Sequence, residues 1–378
     1  MKQSEVHPDR LIEEFLELVQ VDSISGKERQ LADLLIRKLT DLGLEVREDE
    51  AGSAVDSNTG NIIGRLPGSG RGPVIMLCAH MDTVEPGLGV KPVLADGVIR
   101  SAGDTVLGAD DKAGIATILE VLRIVREHSF EHGGLEVVFT IWEEGGMFGA
   151  KNLQYNQLKA RYGFVLDSDG VPGTIITRAP SHDEIGITIR GRAAHAGLNP
   201  EDGINAIKVA SEAIAQMDLG RIDHETTCNI GIISGGKATN IVPDSVTIKG
   251  ESRSLCASKR EAQTARICRA VYKAAENYGA QVEITTELLY SGFHLDQESP
   301  PVKVALEAAR RLGLQPKLEK TGGGSDANIF NHRGIPTAVL GIGMKKAHTC
   351  EEYITTADLV DNARYLFEIL RVAQGQAF

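Results

Sequence analysis

Residues 73–79, Pro73-Val74-Ile75-Met76-Leu77-Cys78-Ala79, are apolar without alternation. A strand of this kind has to be covered on both faces, since an exposed side would put every second apolar group in water. The run passes directly into His80-Met81-Asp82-Thr83, so a buried strand delivers an imidazole and a carboxylate at its C-terminal end. Residues 135–142 and 162–166 repeat the pattern and end in Glu143-Glu144-Gly145-Gly146 and Asp167-Ser168-Asp169. Between the first two runs, residues 111–126 carry Ile115, Ile118, Leu119 and Leu122 on one helical face. Strand, helix and strand at this spacing predict an α/β fold with a mixed, mostly parallel sheet and helices on both faces.

At 378 residues the chain exceeds the ~100–200 residues of one typical domain, and its rhythm changes midway. Before the first buried strand, Leu11, Ile12, Phe15, Leu16 and Val19 predict a helix. Ser25-Gly26-Lys27-Glu28 reads as a capping box that opens a second one, which Gly43 ends. Residues 184–189 alternate, and from there the order is strand, helix (203–217), strands (228–233 and 245–251), helix (258–278) and strand (281–289). That β-α-β-β-α-β sequence is that of an α+β ferredoxin-like unit. Beyond Pro300-Pro301 the α/β pattern returns, with a strand at 337–340 and a last helix from Asp358. The expected division is a catalytic metal-binding domain of residues 1–179 and 294–378, with a lid and dimerisation domain of residues 180–293 inserted in it.

Composition narrows the function classes. A net charge of −12 argues against nucleic acid or an anionic membrane as partner. No run of ~18 apolar residues could cross a bilayer. The start MKQSEVHPDR lacks the basic and apolar regions of a secretory leader, so a cytoplasmic protein is expected. Five scattered cysteines, none in a C-x-x-C pair, read as reduced thiols rather than a disulfide frame or zinc knuckle.

The chemistry lies at strand ends, where open α/β sheets place their ligand crevice. Besides His80, Asp82, Glu143, Glu144 and Asp167, Gly108-Ala109-Asp110-Asp111-Lys112-Ala113-Gly114 opens a helix, and the strand at 337–341 leads to Ala347-His348-Thr349. Carboxylates and imidazoles without thiolates suit Zn²⁺, Mn²⁺ or Co²⁺. Several converging negative charges would repel one another, and two divalent ions ~3.5–4 Å apart, bridged by one carboxylate, would resolve that charge.

These runs, followed by Gly149-Ala150-Lys151 and Ala194-His195-Ala196-Gly197, resemble the co-catalytic metallopeptidase family M20, and its peptidase T-like branch in particular. The resemblance spans most of the chain and implies a zinc-exopeptidase-like catalytic domain with a lid. It implies that Asp110 bridges two divalent ions, zinc with cobalt or manganese as alternatives. His80 and Asp167 would complete one site, and Glu144 and His348 the other. Asp82 would orient His80, Glu143 would be the general base, and the Asp110–Asp111 peptide would be cis. His195 would polarise the scissile carbonyl or stabilise the tetrahedral oxyanion, reaching the partner's site in a homodimer built through the lid. Asn240 and Arg253 would hold a substrate carboxylate. Gly145-Gly146 departs from the bulkier residue common in relatives, which bears on substrate preference.

The implied activity is hydrolysis of short peptides in the manner of a tripeptidase or aminopeptidase. An N-acyl-amino-acid deacylase shares the same ligands and differs only at the pocket ends. A metal-free scaffold is the rival from another class, and it would be expected to lack at least one of the seven positions, all of which are present. Gly322-Gly323-Gly324-Ser325-Asp326 looks like an anion-cradling loop, but no strand-Gly-x-Gly-x-x-Gly-helix unit accompanies it, which argues against a nucleotide site. His128-Ser129-Phe130-Glu131-His132 fits an H-x-x-E-H zinc pattern, yet it falls at the wrong end of the following strand and reads as a helix terminus.

Overall fold

A computed structural model describes residues 5–375; residues 1–4, part of the start read above for a leader, lie outside that range. The chain divides into two compact units. The first contains residues up to Thr177, His294–Lys320 and the chain from Ser325 onward.

At its centre four strands run parallel, in the order Gly134–Thr140, Ile75–His80, Tyr162–Ser168 and Thr337–Gly341. Antiparallel strands flank them: Glu45–Glu48 and Ile62–Pro67 on one side, Thr174–Ala179 on the other. Short segments Phe293–His294 and Lys317–Lys320 pair with Thr174–Ala179, giving nine strands among the described residues. Every residue of Ile75–His80 and Gly134–Thr140 is buried, so both faces of the central sheet are covered.

Helix Pro8–Val19 starts on a proline at its first position, where the missing N–H costs nothing, and buries Leu11, Phe15 and Leu18 at helical spacing. Helices Arg29–Asp41, Ala109–Glu127, Pro300–Arg311 and Thr356–Gln374 contribute to the same core. A small sheet of Pro92–Ala95, Val98–Ser101 and Tyr353–Thr355 also belongs to this unit.

The capping box expected at Ser25-Gly26-Lys27-Glu28 does not form. The helix starts at Arg29 without a side-chain cap, Ser25 Oγ donates to Asp82 (2.6 Å), and Glu28 Oε1 accepts the N–H groups of Gly26 (2.9 Å) and Trp142 (3.1 Å). Ser25 is drawn away by the distant Asp82, and Glu28 is shared between neighbouring Gly26 and distant Trp142. Several further elements were not read from the sequence, among them Thr174–Ala179, Lys317–Lys320 and Tyr353–Thr355. The hairpin over 92–101 is another, although its Asp96-Gly97 turn, with φ of 50° and 74°, is the residue pair that favours tight hairpins.

The second unit contains Arg178–Phe293 with Thr321–Gly324. Its strands are ordered Gly220–Arg221, Thr226–Gly235, Ser245–Ser254, Ser181–Arg190 and Gln281–Tyr290, all antiparallel. Helices Ala206–Ala215 and Ala257–Tyr278 share a core with Ile185, Ile187, Ile189, Val246 and Ile248, which includes Val209, Ile267 and Val271. The long strands and the two helices give the β-α-β-β-α-β order of a ferredoxin-like sandwich.

Helix Ala109–Glu127 positions the site, and it lies close to strand Tyr162–Ser168. A Cβ at Gly114 would come 2.4 Å from Asp111 Oδ1 and 2.7 Å from the Leu166 carbonyl, so only glycine fits. Gly114→Ala should lose about 1–3 kcal/mol through overpacking, read as a lower urea midpoint. A midpoint equal to wild type would contradict this close approach.

Candidate active site

Four segments of the first unit converge at the carboxyl edge of its parallel strands. His80 is the last residue of Ile75–His80. Asp110 follows Gly108 at the mouth of Ala109–Glu127, where Asp110 and Asp111 are non-helical and their peptide is cis, as the resemblance implied. Glu143 and Glu144 follow Gly134–Thr140, and His348 lies in the loop after Thr337–Gly341. Donor atoms of His80, Asp110 and Glu144 all lie within 4.8 Å of one another. His348 Nε2 is 3.2 Å from Asp110 Oδ2 and 3.0 Å from Glu144 Oε1.

The orientation of His80 is decisive. Its Nδ1 is 2.8 Å from the carbonyl oxygen of Asp82, and a carbonyl only accepts, so Nδ1 carries the hydrogen. In the neutral ring Nε2 is then a lone pair aimed at Asp110 Oδ1, 3.0 Å away. Two acceptors face each other, and only a positive charge between or upon them makes that arrangement favourable. Glu144 Oε1 repeats the problem: it is shielded from solvent and accepts no well-aligned hydrogen bond. Nitrogen and oxygen donors arranged in this way fit divalent cations of the zinc, manganese and cobalt group.

The electrostatics agree. Burial pushes Glu143 well above the usual carboxylate range, and the charge of Asp167 adds to it. Asp167, half-buried at the end of its strand, is raised by burial and by Asp110. For Asp110, burial is outweighed by His348 and His80, which hold it low. Contact with the carboxylates of Asp110 and Glu144 lifts His348 to about 10. The acids thus compete for too little positive charge.

Further buried groups hold the backbone of these segments. Asp82 accepts the N–H groups of Glu143 (2.8 Å) and Glu144 (3.2 Å), so it fastens the paired glutamates as well as lying next to His80. Asp111 accepts from the N–H of His80 (3.2 Å). Glu352, which sequence reasoning missed, accepts from Gly108 (2.7 Å) and Asp110 (3.0 Å). Its only signal was its place four residues after His348. Asp326 is buried and takes the Thr140 hydroxyl (2.6 Å).

The remaining sequence candidates lie elsewhere. In the second unit, His195 is exposed and its Nδ1 accepts from the N–H groups of Gly197 and Leu198, both 3.2 Å. Its Nε2 therefore carries the hydrogen as a donor. Asn240 is exposed, and its carbonyl accepts from Ala196 N–H (3.0 Å). Arg253 is not the open fork that the sequence suggested, because Nε and Nη2 are bound to Glu251 (3.1 and 2.9 Å). The H-x-x-E-H run lies past the end of Ala109–Glu127, before strand Gly134–Thr140 begins, and neither of its histidines joins the acid–imidazole cluster among the described residues.

A mixed α/β sheet with a cation-ready cluster at its carboxyl edge defines a metal-dependent hydrolase. Residues 76–372 match peptidase family M20/M25/M40, and the chain belongs to that family, in its peptidase T-like branch; it is an exopeptidase, a hydrolase of peptide bonds. It is 44% identical over 368 residues to the uncharacterized protein YqjE of Bacillus subtilis, covering 97% of this chain and 99% of that protein. The crystal structure of aminopeptidase PepT from Bacillus cereus superposes with a TM-score of 0.91 at 43% identity, covering 98% of this chain and 99% of that one. A tripeptidase from Staphylococcus aureus gives 0.95 at 39% identity, covering 98% and 100%.

Lys112 supplies a test of the buried electrostatics. Its ammonium is fully buried on the Val21 carbonyl (2.7 Å), and burial lowers its pKa to about 8. The unfolded chain holds this proton up to the ordinary lysine range, so between the two values it binds more protons than the folded one. In metal-stripped protein the Lys112 contribution to stability should therefore rise with pH above about 8, by at most roughly 3 kcal/mol, opposing the loss over the same range from His348, which is held up at about 10. Lys112→Met should lack that rise in denaturant titrations; equal pH dependence in both proteins would contradict it.

Proposed function

We propose that this exopeptidase acts on short peptides through two divalent cations, in the manner of a tripeptidase or aminopeptidase. The observation that carries the reading is the gathering of donor atoms of His80, Asp110 and Glu144 within 4.8 Å of one another, with His348 Nε2 3.2 Å from Asp110 and 3.0 Å from Glu144. Asp110 is proposed as the shared ligand, with His80 and Asp167 on one side and Glu144 and His348 on the other. Zinc is the expected metal, with cobalt or manganese able to replace it. When bound, such a pair supplies Lewis-acid polarisation of the peptide carbonyl and a lowered pKa for the attacking water.

Glu143 takes the proton from that water and returns it to the leaving amine. Burial favours its protonated form, the state needed for the second transfer. Asp82 keeps the His80 imidazole in its tautomer by presenting its own carbonyl to Nδ1 and orients Glu143 through the backbone. His195, with Nε2–H available, serves the oxyanion. Asn240, held beside it, contacts a substrate carboxylate. Arg253 is held by Glu251 through Nε and Nη2 and by the Tyr290 hydroxyl through Nη1 (3.4 Å), so only its remaining N–H groups would meet a carboxylate.

The unit of Arg178–Phe293 is proposed as a lid and as the homodimer surface. It exposes Leu198, Ile232, Ile233 and Ile241, apolar side chains that a second copy of the chain would cover. A cytoplasmic location is proposed as well. Among the described residues no helix is long and apolar enough to cross a membrane.

Unblocked di-, tri- and tetrapeptides should be cleaved, tripeptides fastest. A chelator should abolish the activity, and zinc, cobalt or manganese should restore it. Hydrolysis of N-acyl amino acids alone would overturn the substrate assignment. Glu143→Ala should keep its metal while turnover falls by about 10²–10⁴-fold. Near-normal turnover in that variant would mean that another group is the base.

A further inference from the structure

The loop that carries His348 is closed on itself. Lys345 and Tyr353 exchange backbone hydrogen bonds of 2.9 and 3.0 Å, and Lys346 and His348 between them adopt φ of 55° and 63°. Residues 345–351 are exposed or half-buried, and the His348 side chain is 54% exposed. Ala347 packs against the core and Lys345 Nζ donates to the Asp169 carbonyl (2.8 Å), which ties the loop to the strand end of Asp167 rather than to the segment of Asp110. Glu352 makes the second tie: it is 1% exposed. Its Oε2 accepts the N–H of Gly108 at 2.7 Å, and its Oε1 accepts that of Asp110 at 3.0 Å. One side chain thus spans two backbone amides more than two hundred residues away. They belong to the segment that presents Asp110.

We propose that Glu352 is a positioning residue that sets the distance between His348 and Asp110, and through it the affinity for the second cation. The inference rests on the two-metal reading and deepens it. Glu352 does not touch the cation itself. It ties the exposed ligand loop to the backbone of the shared ligand, so that His348 Nε2 stays 3.2 Å from Asp110 Oδ2 and 3.0 Å from Glu144 Oε1 before any ion arrives. Groups that orient ligands from behind in this way typically govern metal affinity by 10–100-fold. Glutamine at this position keeps the shape but has a single acceptor oxygen, and its NH₂ would face an N–H group. Aspartate keeps both acceptors on a shorter stem.

Zinc binding to metal-stripped full-length protein, followed by calorimetry, tests the assignment. The comparison set is wild type, Glu352→Gln, Glu352→Asp, His348→Ala and the double variant His348→Ala with Glu352→Gln. Two binding steps are expected for wild type. In Glu352→Gln one step should stay within about threefold of wild type and the other weaken about 10–100-fold, with circular dichroism unchanged; Glu352→Asp should fall between. If glutamine prevents folding, the aspartate variant carries the test, with at least a fivefold loss expected in one step. The double variant should bind no more weakly than His348→Ala alone, because both changes act on one site. Wild-type-like binding in both steps by the Glu352 variants, or fully additive losses in the double variant, would overturn the proposal. Fewer than two zinc ions on wild type would instead remove the two-metal reading, and this inference with it.

Discussion

Carboxylates that accept backbone N–H groups from other parts of the chain hold this site together. Asp82 fastens the amides of Glu143 and Glu144, Asp111 that of His80, and Glu352 those of Gly108 and Asp110. Each clamp belongs to one candidate ligand segment and grips another, so the four segments brought together by the strand ends and the helix also fix one another. Backbone donors suit this task. They satisfy a buried carboxylate without adding a positive side chain that would compete with a cation.

That choice has an electrostatic consequence. Asp110, Glu143, Glu144 and Asp167 share a small volume with two imidazoles, and burial raises three of the four acids above their ordinary range. Carboxylates outnumber imidazoles in the cluster, and against its burial His80 is pushed towards its charged form by Asp110 and Asp82. Lys112, the nearby buried cation, is turned to the Val21 carbonyl. The fold keeps the strong field for something that arrives from outside, and this agrees with membership in a metallopeptidase family.

Much of this was legible in the sequence because the central strands are apolar throughout and end abruptly in acids and histidines. Strand ends set the place, and residue type sets the chemistry; the gathering of His80, Asp110, Glu144 and His348 follows from both. Interactions that join distant segments were not legible. Ser25 and Glu28 have the spacing of a helix cap, but both are used by residues far along the chain, and no local pattern signals that. Glu352 is one acid among several in a polar loop until the fold brings it to Gly108. The Arg253 fork looked open because its partner Glu251, two residues away on the same strand, shares its face; that period-two signal was present and was passed over.

Anomalous diffraction at the zinc edge, from crystals of metal-loaded protein, examines the missing charge most directly. Two peaks are expected, one at coordination distance, about 2.0–2.1 Å, from His80 Nε2 and the other from His348 Nε2, with the Asp110 carboxylate between them. No peak at the cluster, or a single ion not shared by Asp110, would contradict a paired-cation centre.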